Sequence, residues 1–354
     1  MRHMKRLLAI TMGDPTGIGP ETIARAWGHN SLHTQTRAVV IGHPEIMRRA
    51  LQLVSSTSRV VEVTEVDEVE STAEWMPCLR CASDTVLDLP PAQVHAGGGQ
   101  AAYEAVTIAC ELAQAGQVDG LVTAPLNKAA LAAAGHDYPG HTELLADLCG
   151  VQEVAMMLYL GRSDSVRGPA GLGVAHATLH VAMRDIFALL TPERIVRTAH
   201  LANVVTRAML AHSAVPGLPR IGVCALNPHG GEQGLFGDEE CRVIHPAVER
   251  GITQGMDLQG PFPADTLLSR AVAGEFDAVV AMYHDQGHIA LKLLGMHQAV
   301  NITLGLPVVR TSVAHGTAYD LAWQGHARCE SMVEAIRVAA ALVDCREQLQ
   351  WSPN

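Results

Sequence analysis

The sequence predicts an α/β protein whose mostly parallel sheet carries helices on both faces. Apolar runs of strand length alternate with longer segments of helical periodicity. Aromatic residues are only 4% of the chain whereas hydrophobic residues are 48%, so the core must be built from aliphatic side chains, which suits a sheet covered by helices. The length of 354 residues is enough for two lobes.

Eight apolar runs have the length of strands. They are Leu7–Met12, Ala38–Ile41, Leu121–Thr123, Val154–Leu160, Leu172–His176, Ile221–Leu226, Asp277–Tyr283 and Val300–Thr303. Helical spacing of apolar residues marks Tyr103–Ala115, Pro192–Ala211, Glu240–Gln254 and Cys329–Leu349. Ligands of such sheets bind at loops beyond the carboxyl ends of strands, where the unusual residues of this sequence lie.

Charge and composition exclude several classes of protein. The formal net charge of −11 argues against a surface that binds a nucleic-acid backbone, and no apolar run is long enough to span a membrane. The basic segment Met1 to Arg6 precedes an apolar stretch that stops at Asp14, too short for a signal-peptide core. Of eight cysteines, only Cys78 and Cys81 form a C-x-x-C pair. We therefore expect a cytoplasmic protein with reduced, structural cysteines.

A glycine-rich segment, Thr11–Glu21, follows the first strand and precedes a helix expected near Glu21. Its glycines permit close backbone approach, and the helix N-terminus attracts an anion. The segment is equally consistent with a tight strand-to-helix turn. It is not G-x-G-x-x-G, so a Rossmann fingerprint is absent here.

Two further segments, Thr123–Lys128 and Pro139–Glu143, contain the Lys, His and Thr donors that suit a phosphate. Ordinary loop chemistry explains them as well. Lys292, Asn301 and Arg310 place basic and amide groups near strand ends of an acidic chain. They indicate either an acidic ligand or a salt-bridged surface.

Three histidines follow three separate strands. His180, His229 and His284 lie just beyond the strand ends, and three neutral imidazoles suit Zn²⁺, Co²⁺ or Fe²⁺ with a position left open for substrate. Asp285 or Asp265 offers an oxygen ligand, which would also admit Mg²⁺ or Mn²⁺. A single histidine is more often a satisfied structural residue, and spacing alone leaves that alternative open.

Taken together, the motifs resemble the 4-hydroxythreonine-4-phosphate dehydrogenase family of vitamin B6 biosynthesis and its relatives that act on four-carbon sugar-acid phosphates. The resemblance runs from about Lys5 to Ala340. The motifs that carry it, in family order, are Met12–Glu21, Thr123–Lys128, Gly140–Glu143, Leu226–Glu232, Pro263–Thr266, Met282–Gly287, Val300–Pro307 and Arg310–Ala318.

The resemblance implies a fold similar to isocitrate and isopropylmalate dehydrogenases, with a first lobe over 1–125 plus 300–354 and a second over 126–299. It implies a homodimer whose active sites draw on both subunits. The implied metal ligands are His180, His229 and His284. The implied substrate-binding residues are His141, Thr142, Lys292, Asn301 and Arg310.

The chemistry implied is oxidation of a 3-hydroxy-4-phospho four-carbon acid by NAD or NADP, followed by decarboxylation, with Zn²⁺, Co²⁺, Mg²⁺ or Mn²⁺. The metal eases loss of the hydroxyl proton and stabilises the enolate. Lys292 is the candidate proton-transfer group, and Asp265 is expected to orient it or the metal. The cofactor-binding residues are not assigned.

Several alternatives remain open at this point. His288 and Ala314 look closer to the enzymes of 4-phospho-D-threonate and 4-phospho-D-erythronate, which would yield dihydroxyacetone phosphate. His288 itself either contacts substrate or NAD or simply packs. A third branch oxidises a dihydrodiol dicarboxylate and lacks the phosphate motif Gly140–Glu143. Outside the family, three histidines also suit a metal-dependent hydrolase, and a binding protein without turnover is the remaining class.

Overall fold

The computed structural model describes residues 5–66 and 70–349; residues 1–4 of the basic N-terminal segment lie outside them. Elements are numbered in chain order. The strands are β1 (Arg6–Thr11), β2 (Thr36–Gly42), β3 (Arg59–Val63), β4 (Trp75–Arg80), β5 (Gly120–Thr123), β6 (Ala155–Leu160), β7 (Leu172–His176), β8 (Arg220–Cys224), β9 (Asp257–Phe262), β10 (Ala278–Ala281), β11 (Val300–Leu304) and β12 (Val309–Val313). The α-helices are α1 (Gly19–Trp27), α2 (Asn30–Gln35), α3 (Pro44–Leu53), α4 (Ala96–Gln114), α5 (Lys128–Ala133), α6 (His141–Leu148), α7 (Met183–Leu189), α8 (Pro192–His212), α9 (His245–Thr253), α10 (Ala264–Val272), α11 (His284–Gly295) and α12 (Glu330–Asp344).

The chain divides into two compact units. The first runs to Val154 and resumes over Leu306–Asp344, whereas the second comprises Ala155–Gly305 and the segment from Cys345. The sequence-based bounds near 125 and 300 differ from this division, because α5 and α6 pack against α4. His141 and Thr142 therefore belong to the first unit.

The sheet of the first unit is parallel throughout, in the order β3-β4-β2-β1-β5-β12. Leu7 and Ala9 of β1 join the core cluster formed with α4. On the other face, Leu8 and Val343 of α12 both lie against Gly120. Both faces of β1 are thus covered by helices, which explains its unbroken apolar run.

The second unit has a mixed sheet in the order β11-β6-β7-β10-β8-β9. The pairs β11–β6 and β6–β7 are antiparallel, whereas β7–β10, β10–β8 and β8–β9 are parallel. Helix α8 packs against β7 and β10, and α10 packs against β10 and β8. The predicted mostly parallel α/β fold is confirmed, and three adjacent parallel strands end at the same edge of this sheet.

All eight predicted strands are present, but four others were missed. Three of the four carry features that hide a strand: β3 is largely exposed, β4 contains a proline, and β9 is a polar edge strand with a Gly-Pro pair. The fourth, β12, carries a buried arginine. The helix expected over Glu240–Gln254 is a π-helical turn, Glu240–Ile244, followed by α9, since Pro246 has no N–H to continue the ladder.

Within residues 5–66 and 70–349, no helix combines the length and the apolar character needed to cross a membrane.

Candidate active site

The three candidate metal ligands follow the adjacent parallel strands β7, β10 and β8. His180 lies four residues beyond β7 and His229 five beyond β8. His284 lies three residues beyond β10, which ends at Ala281, and is the first residue of α11. The sequence therefore brings all three histidines to one edge of the second unit's sheet.

Side-chain hydrogen bonds hold these strand ends together. The Gln286 amide donates to the Ala225 carbonyl at 2.7 Å and accepts from the Met282 N–H at 2.7 Å, which ties the ends of β8 and β10. The Thr178 hydroxyl donates to the Met282 carbonyl at 2.7 Å, which ties β7 to β10. The edge is thus a fixed platform for the histidines.

Two of the histidines lie near each other. The rings of His180 and His284 have centroids 5.9 Å apart. One ring nitrogen of His284, Nδ1, is 2.6 Å from Oδ1 of Asp285. A carboxylate on one ring nitrogen fixes the ring so that the other nitrogen faces a ligand.

His229 lies in a left-handed turn. Five successive residues, His229–Gln233, have positive φ between 42° and 76°. Such a conformation costs non-glycine residues about 1–2 kcal/mol each, and backbone strain of this kind clusters at functional sites. The turn leaves the His229 side chain exposed.

Glu240 holds this turn from beneath. Its buried carboxylate accepts hydrogen bonds from the N–H groups of Leu226 and Asn227 at 2.8 and 2.7 Å and from the Asn227 amide at 3.0 Å. Burial alone acts to raise the pKa of Glu240, but these hydrogen bonds outweigh it and lower the pKa. A Cβ on Gly231 would lie 2.6 Å from Oε2 of Glu240, so only glycine fits there.

A cleft of about 640 Å³ opens beside His229 within the second unit. Asp265 and Asp285 line it together with the exposed apolar residues Ile289 and Leu293. Asp265 is exposed at the start of α10, where Oδ1 accepts from the Thr266 N–H. The imidazole and carboxylate groups around this cleft are donors suited to a divalent cation.

Over residues 5–66 and 70–349, however, no set of three or more His, Cys, Asp or Glu side chains is arranged to hold a metal ion. The donor types fit a divalent ion, whereas their arrangement in one chain does not complete a three-ligand site.

Behind His284 lies a histidine stack that the sequence did not predict. The His288 ring stacks on His284 with centroids 3.9 Å apart, and its Nδ1 is 3.1 Å from Nε2 of His176. His288 is buried; it packs against the other two rings and does not line the cleft.

Burial, followed by the charges of His284 and Lys292, lowers the pKa of His288 to about 4, and burial lowers the pKa of His176 to about 3. Both rings are therefore neutral near pH 7. The sequence feature that could have indicated this packing is Gly287, because a Cβ there would lie 2.6 Å from Nε2 of His176.

Two predicted substrate residues also belong to the second unit. Lys292 lies within α11, not near a strand end, and is half-buried. Asn301 is in β11 opposite Leu158 of β6. Lys292 follows His284 and His288 at intervals of four residues, which places the three on one side of the helix.

In the first unit, Arg310 is fully enclosed. It lies on β12, and its guanidinium donates to the Thr123 hydroxyl of β5 at 2.6 Å and 3.2 Å. Burial lowers the pKa of Arg310 to about 9, an effect that the charge of Glu143 opposes. The group still carries its charge at neutral pH, and a buried cation indicates an anionic partner. The alternative of a salt-bridged surface does not describe Arg310.

His141 and Thr142 open α6 in the same unit. Burial, reinforced by the charge of Arg310, lowers the pKa of His141 well below its ordinary value. Its Nε2 is buried and has no hydrogen-bond partner among the described residues. The buried Nε2 of His141 is a polar group that a bound ligand would satisfy, and the neighbouring charge of Arg310 favours an anion there.

The glycine-rich segment is tied into the first unit. Asp14 is buried and accepts from the Thr16 N–H at 2.9 Å and from the Tyr319 hydroxyl at 2.6 Å. Glu21 accepts from the Ala327 N–H at 2.7 Å. These bonds explain the tight turn before α1. The loop Thr123–Lys128 likewise has a structural role, since Asn127 caps α5.

The α/β fold, with polar groups gathered beyond its strand ends, is typical of an enzyme. The model of the pyridoxal phosphate biosynthetic protein PdxA family matches residues 34–339, and the chain belongs to this family. It is 43% identical to D-threonate 4-phosphate dehydrogenase of Pectobacterium atrosepticum, over 96% of this chain and 100% of that one.

Two further relatives carry the other enzyme name. The chain is 43% identical to 4-hydroxythreonine-4-phosphate dehydrogenase of Geobacter metallireducens, over 97% of both chains. The crystal structure of 4-hydroxythreonine-4-phosphate dehydrogenase from Klebsiella pneumoniae superposes with a TM-score of 0.83 at 39% identity, over 96% of this chain and 100% of that one. The protein is therefore an oxidoreductase of the dehydrogenase type.

Proposed function

We propose that this protein oxidises and decarboxylates a 3-hydroxy-4-phospho four-carbon acid, as a 4-hydroxythreonine-4-phosphate dehydrogenase does, with NAD or NADP as hydride acceptor. The observation that carries the proposal is that His180, His229 and His284 each lie just beyond one of three adjacent parallel strands, at one edge of the second unit's sheet. A divalent ion held by these imidazoles would supply Lewis-acid chemistry at the substrate hydroxyl.

Substrate binding and proton transfer fall to other residues of this chain. Arg310, His141 and Thr142 bind the anionic groups of the substrate, the first by charge and the others at the start of α6. Lys292 takes the hydroxyl proton as the hydride leaves. Asp265, which lines the cleft, orients Lys292 or the metal ion. Asn301 donates to the substrate from β11. The 3-keto acid that results loses CO₂.

We further propose that the site is shared between two copies of the chain. Large apolar side chains lie exposed beside each histidine loop: Val181, Met183 and Phe187; Leu235 and Phe236; Ile289, Leu293 and Met296. Apolar patches of this kind occur at obligate interfaces. Burial of all three segments in a homodimer would bring ligands of both chains to one ion.

A second candidate is oxidation of 4-phospho-D-threonate or 4-phospho-D-erythronate. The relative from P. atrosepticum supports it to the same degree, because that relative and the 4-hydroxythreonine-4-phosphate dehydrogenase of G. metallireducens are both 43% identical to this chain. The substrates differ at carbon 2, which bears an amino group in one and a hydroxyl in the others. A dihydrodiol dicarboxylate is disfavoured by the intact segment Gly140–Glu143.

The test is the absorbance of reduced nicotinamide formed from 4-phosphohydroxythreonine, D-threonate 4-phosphate and D-erythronate 4-phosphate. Each is assayed with NAD and NADP, with and without Zn²⁺, Co²⁺, Mg²⁺ or Mn²⁺. We expect turnover of at least one substrate that requires added metal after chelation. No reduced nicotinamide with any of them would refute the proposal. A hydrolase would instead turn over without NAD.

A further inference from the structure

Two thiols of the first unit, one within α4 and one directly after α6, lie side by side. Cys110 is buried in α4, and Cys149 immediately follows α6 and is half-buried. They are 39 residues apart in sequence, yet their Sγ atoms are 3.5 Å apart. An approach of about 1.5 Å would bring the two sulfurs to the disulfide length of about 2.05 Å.

The environments of the two thiols differ in the way that a reactive pair requires. A hydrogen bond from the Cys110 thiol lowers the pKa of Cys149 to about 7, while burial acts against it. The same hydrogen bond, followed by burial, raises the pKa of Cys110. The partly exposed sulfur is thus the better thiolate and the buried one the neutral partner.

The C-x-x-C pair provides the contrast. Cys78 is buried in β4 and Cys81 follows the strand end. Three residues of extended chain span roughly 10 Å, with alternate side chains on opposite faces, whereas a disulfide needs Cα atoms within about 7 Å. Burial raises the pKa of both thiols, that of Cys81 to about 12. The motif that stands out in the sequence is therefore inert.

We infer that Cys110 and Cys149 form an oxidation site at which a hydroperoxide produces a disulfide linking α4 to the end of α6. The Cys149 thiolate attacks one peroxide oxygen, so that an S–O bond forms and the O–O bond breaks, giving a sulfenic acid and, with hydrogen peroxide, hydroxide. The Cys110 sulfur then displaces the sulfenic oxygen as water. In sum, two thiols and one peroxide yield a disulfide and two waters.

The disulfide would act on the helix that carries the proposed anion-binding residues, a consequence that rests on the proposed function. Helix α6 has eight residues and is only about 12 Å long, with His141 and Thr142 at one end and Cys149 directly after the other. We therefore expect that drawing Cys149 towards α4 shifts the end of α6 and, through so short a helix, also moves His141 and Thr142. We expect oxidised protein to bind inorganic phosphate about fivefold more weakly than reduced protein.

Formation of the bond is tested on the full chain, titrated with hydrogen peroxide, alkylated and analysed by peptide mass spectrometry. A Cys110–Cys149 crosslink should appear before any other oxidation. Cys149→Ser should abolish it, whereas Cys81→Ser should leave it unchanged. Absence of the crosslink, or oxidation of Cys149 no faster than exposed Cys241, overturns the inference.

The effect on α6 is tested by calorimetric titration of reduced and oxidised protein with inorganic phosphate. Equal affinities overturn the link between the thiols and α6. If reduced protein binds no phosphate, the proposed anion site and that link both fail, whereas mass spectrometry alone decides whether the disulfide forms.

Discussion

Arg310 shows how a single buried residue constrains the class of ligand. Its guanidinium is enclosed beside Thr123 and His141, so removal of its charge should strongly weaken binding of a phosphorylated acid. We expect Arg310→Met to raise KM by about two orders of magnitude, since loss of one partner of a buried charged contact costs about 2–5 kcal/mol. Steady-state kinetics with the substrate found active measure the effect.

The matched control is Arg328→Met in the same unit. Arg328 is exposed and pairs with Glu330 at 2.8 Å, and exposed ion pairs contribute at most about 1 kcal/mol. KM should stay at the wild-type value. An unchanged KM for Arg310→Met as well would remove Arg310 from the anion site.

His176 makes stability depend on pH in a predictable direction. Its pKa falls from 6.5 to about 3 on folding, so the unfolded chain takes up its proton first as pH falls. The stabilisation is complete above pH 6.5 and is lost towards pH 3, by up to about 1.4 kcal/mol per pH unit. Urea unfolding of metal-free protein between pH 7 and 5 should show a shallower loss in His176→Gln. Equal slopes in the two proteins would contradict this assignment.

At the residue scale, the sequence drew attention to side chains whose chemistry is unusual for their position. A charged Arg310 within an apolar segment and a histidine beyond each of three strands were visible in the chain. The His176–His288 contact was not, because it joins residues 112 apart and depends on how α11 packs over β7. The contact between Cys110 and Cys149 was not predictable for the same reason, since it joins residues far apart in sequence. The C-x-x-C pair is conspicuous in the sequence, but burial raises the pKa of both thiols and makes them unreactive.

At the scale of elements, the turn that carries His229 depends on an anchor outside it. Glu240 accepts two backbone N–H groups just before the turn through Oε1 and the Asn227 amide through Oε2. In Glu240→Gln the amide oxygen can replace Oε1, but the new NH2 group faces the Asn227 amide donor, and leaving a buried donor unsatisfied costs about 1–3 kcal/mol. We expect Glu240→Gln to lower the free energy of unfolding by this amount and to weaken binding of a divalent ion. Denaturation and equilibrium dialysis with Co²⁺ report the two effects separately.

Asp238→Asn is the control for Glu240→Gln, because Asp238 is exposed and pairs with Arg242 on the surface. Its stability and Co²⁺ affinity should match the wild type. If Glu240→Gln were destabilised yet bound Co²⁺ with unchanged affinity, Glu240 would support the fold without positioning His229.

The elements themselves were predictable to different degrees. Buried parallel strands such as β1 and β5 were evident because both faces are apolar. The edge strands β3 and β9 were not, since their solvent-facing residues are polar and pairing with a neighbour is what makes them strands. The boundary near Val154 depends on α5 and α6 packing against α4, and short helices leave little periodicity in a sequence.

At the scale of the whole molecule, the exposed apolar residues around the histidine loops predict an assembly. Leu293 of α11 is 83% exposed, and the interface of the proposed dimer would bury it. We expect Leu293→Glu to dissociate the dimer, because a charge buried without a partner costs several kcal/mol, and to lose bound metal and turnover together if the site is shared. Sedimentation, elemental analysis and the nicotinamide assay measure the three properties.

Leu218→Glu is the matched control: Leu218 is also exposed, at 52%, but it precedes β8 at the opposite edge of the sheet, so dimer, metal and turnover should all persist. A monomeric Leu293→Glu protein that kept its metal and its activity would show that one chain builds the complete site.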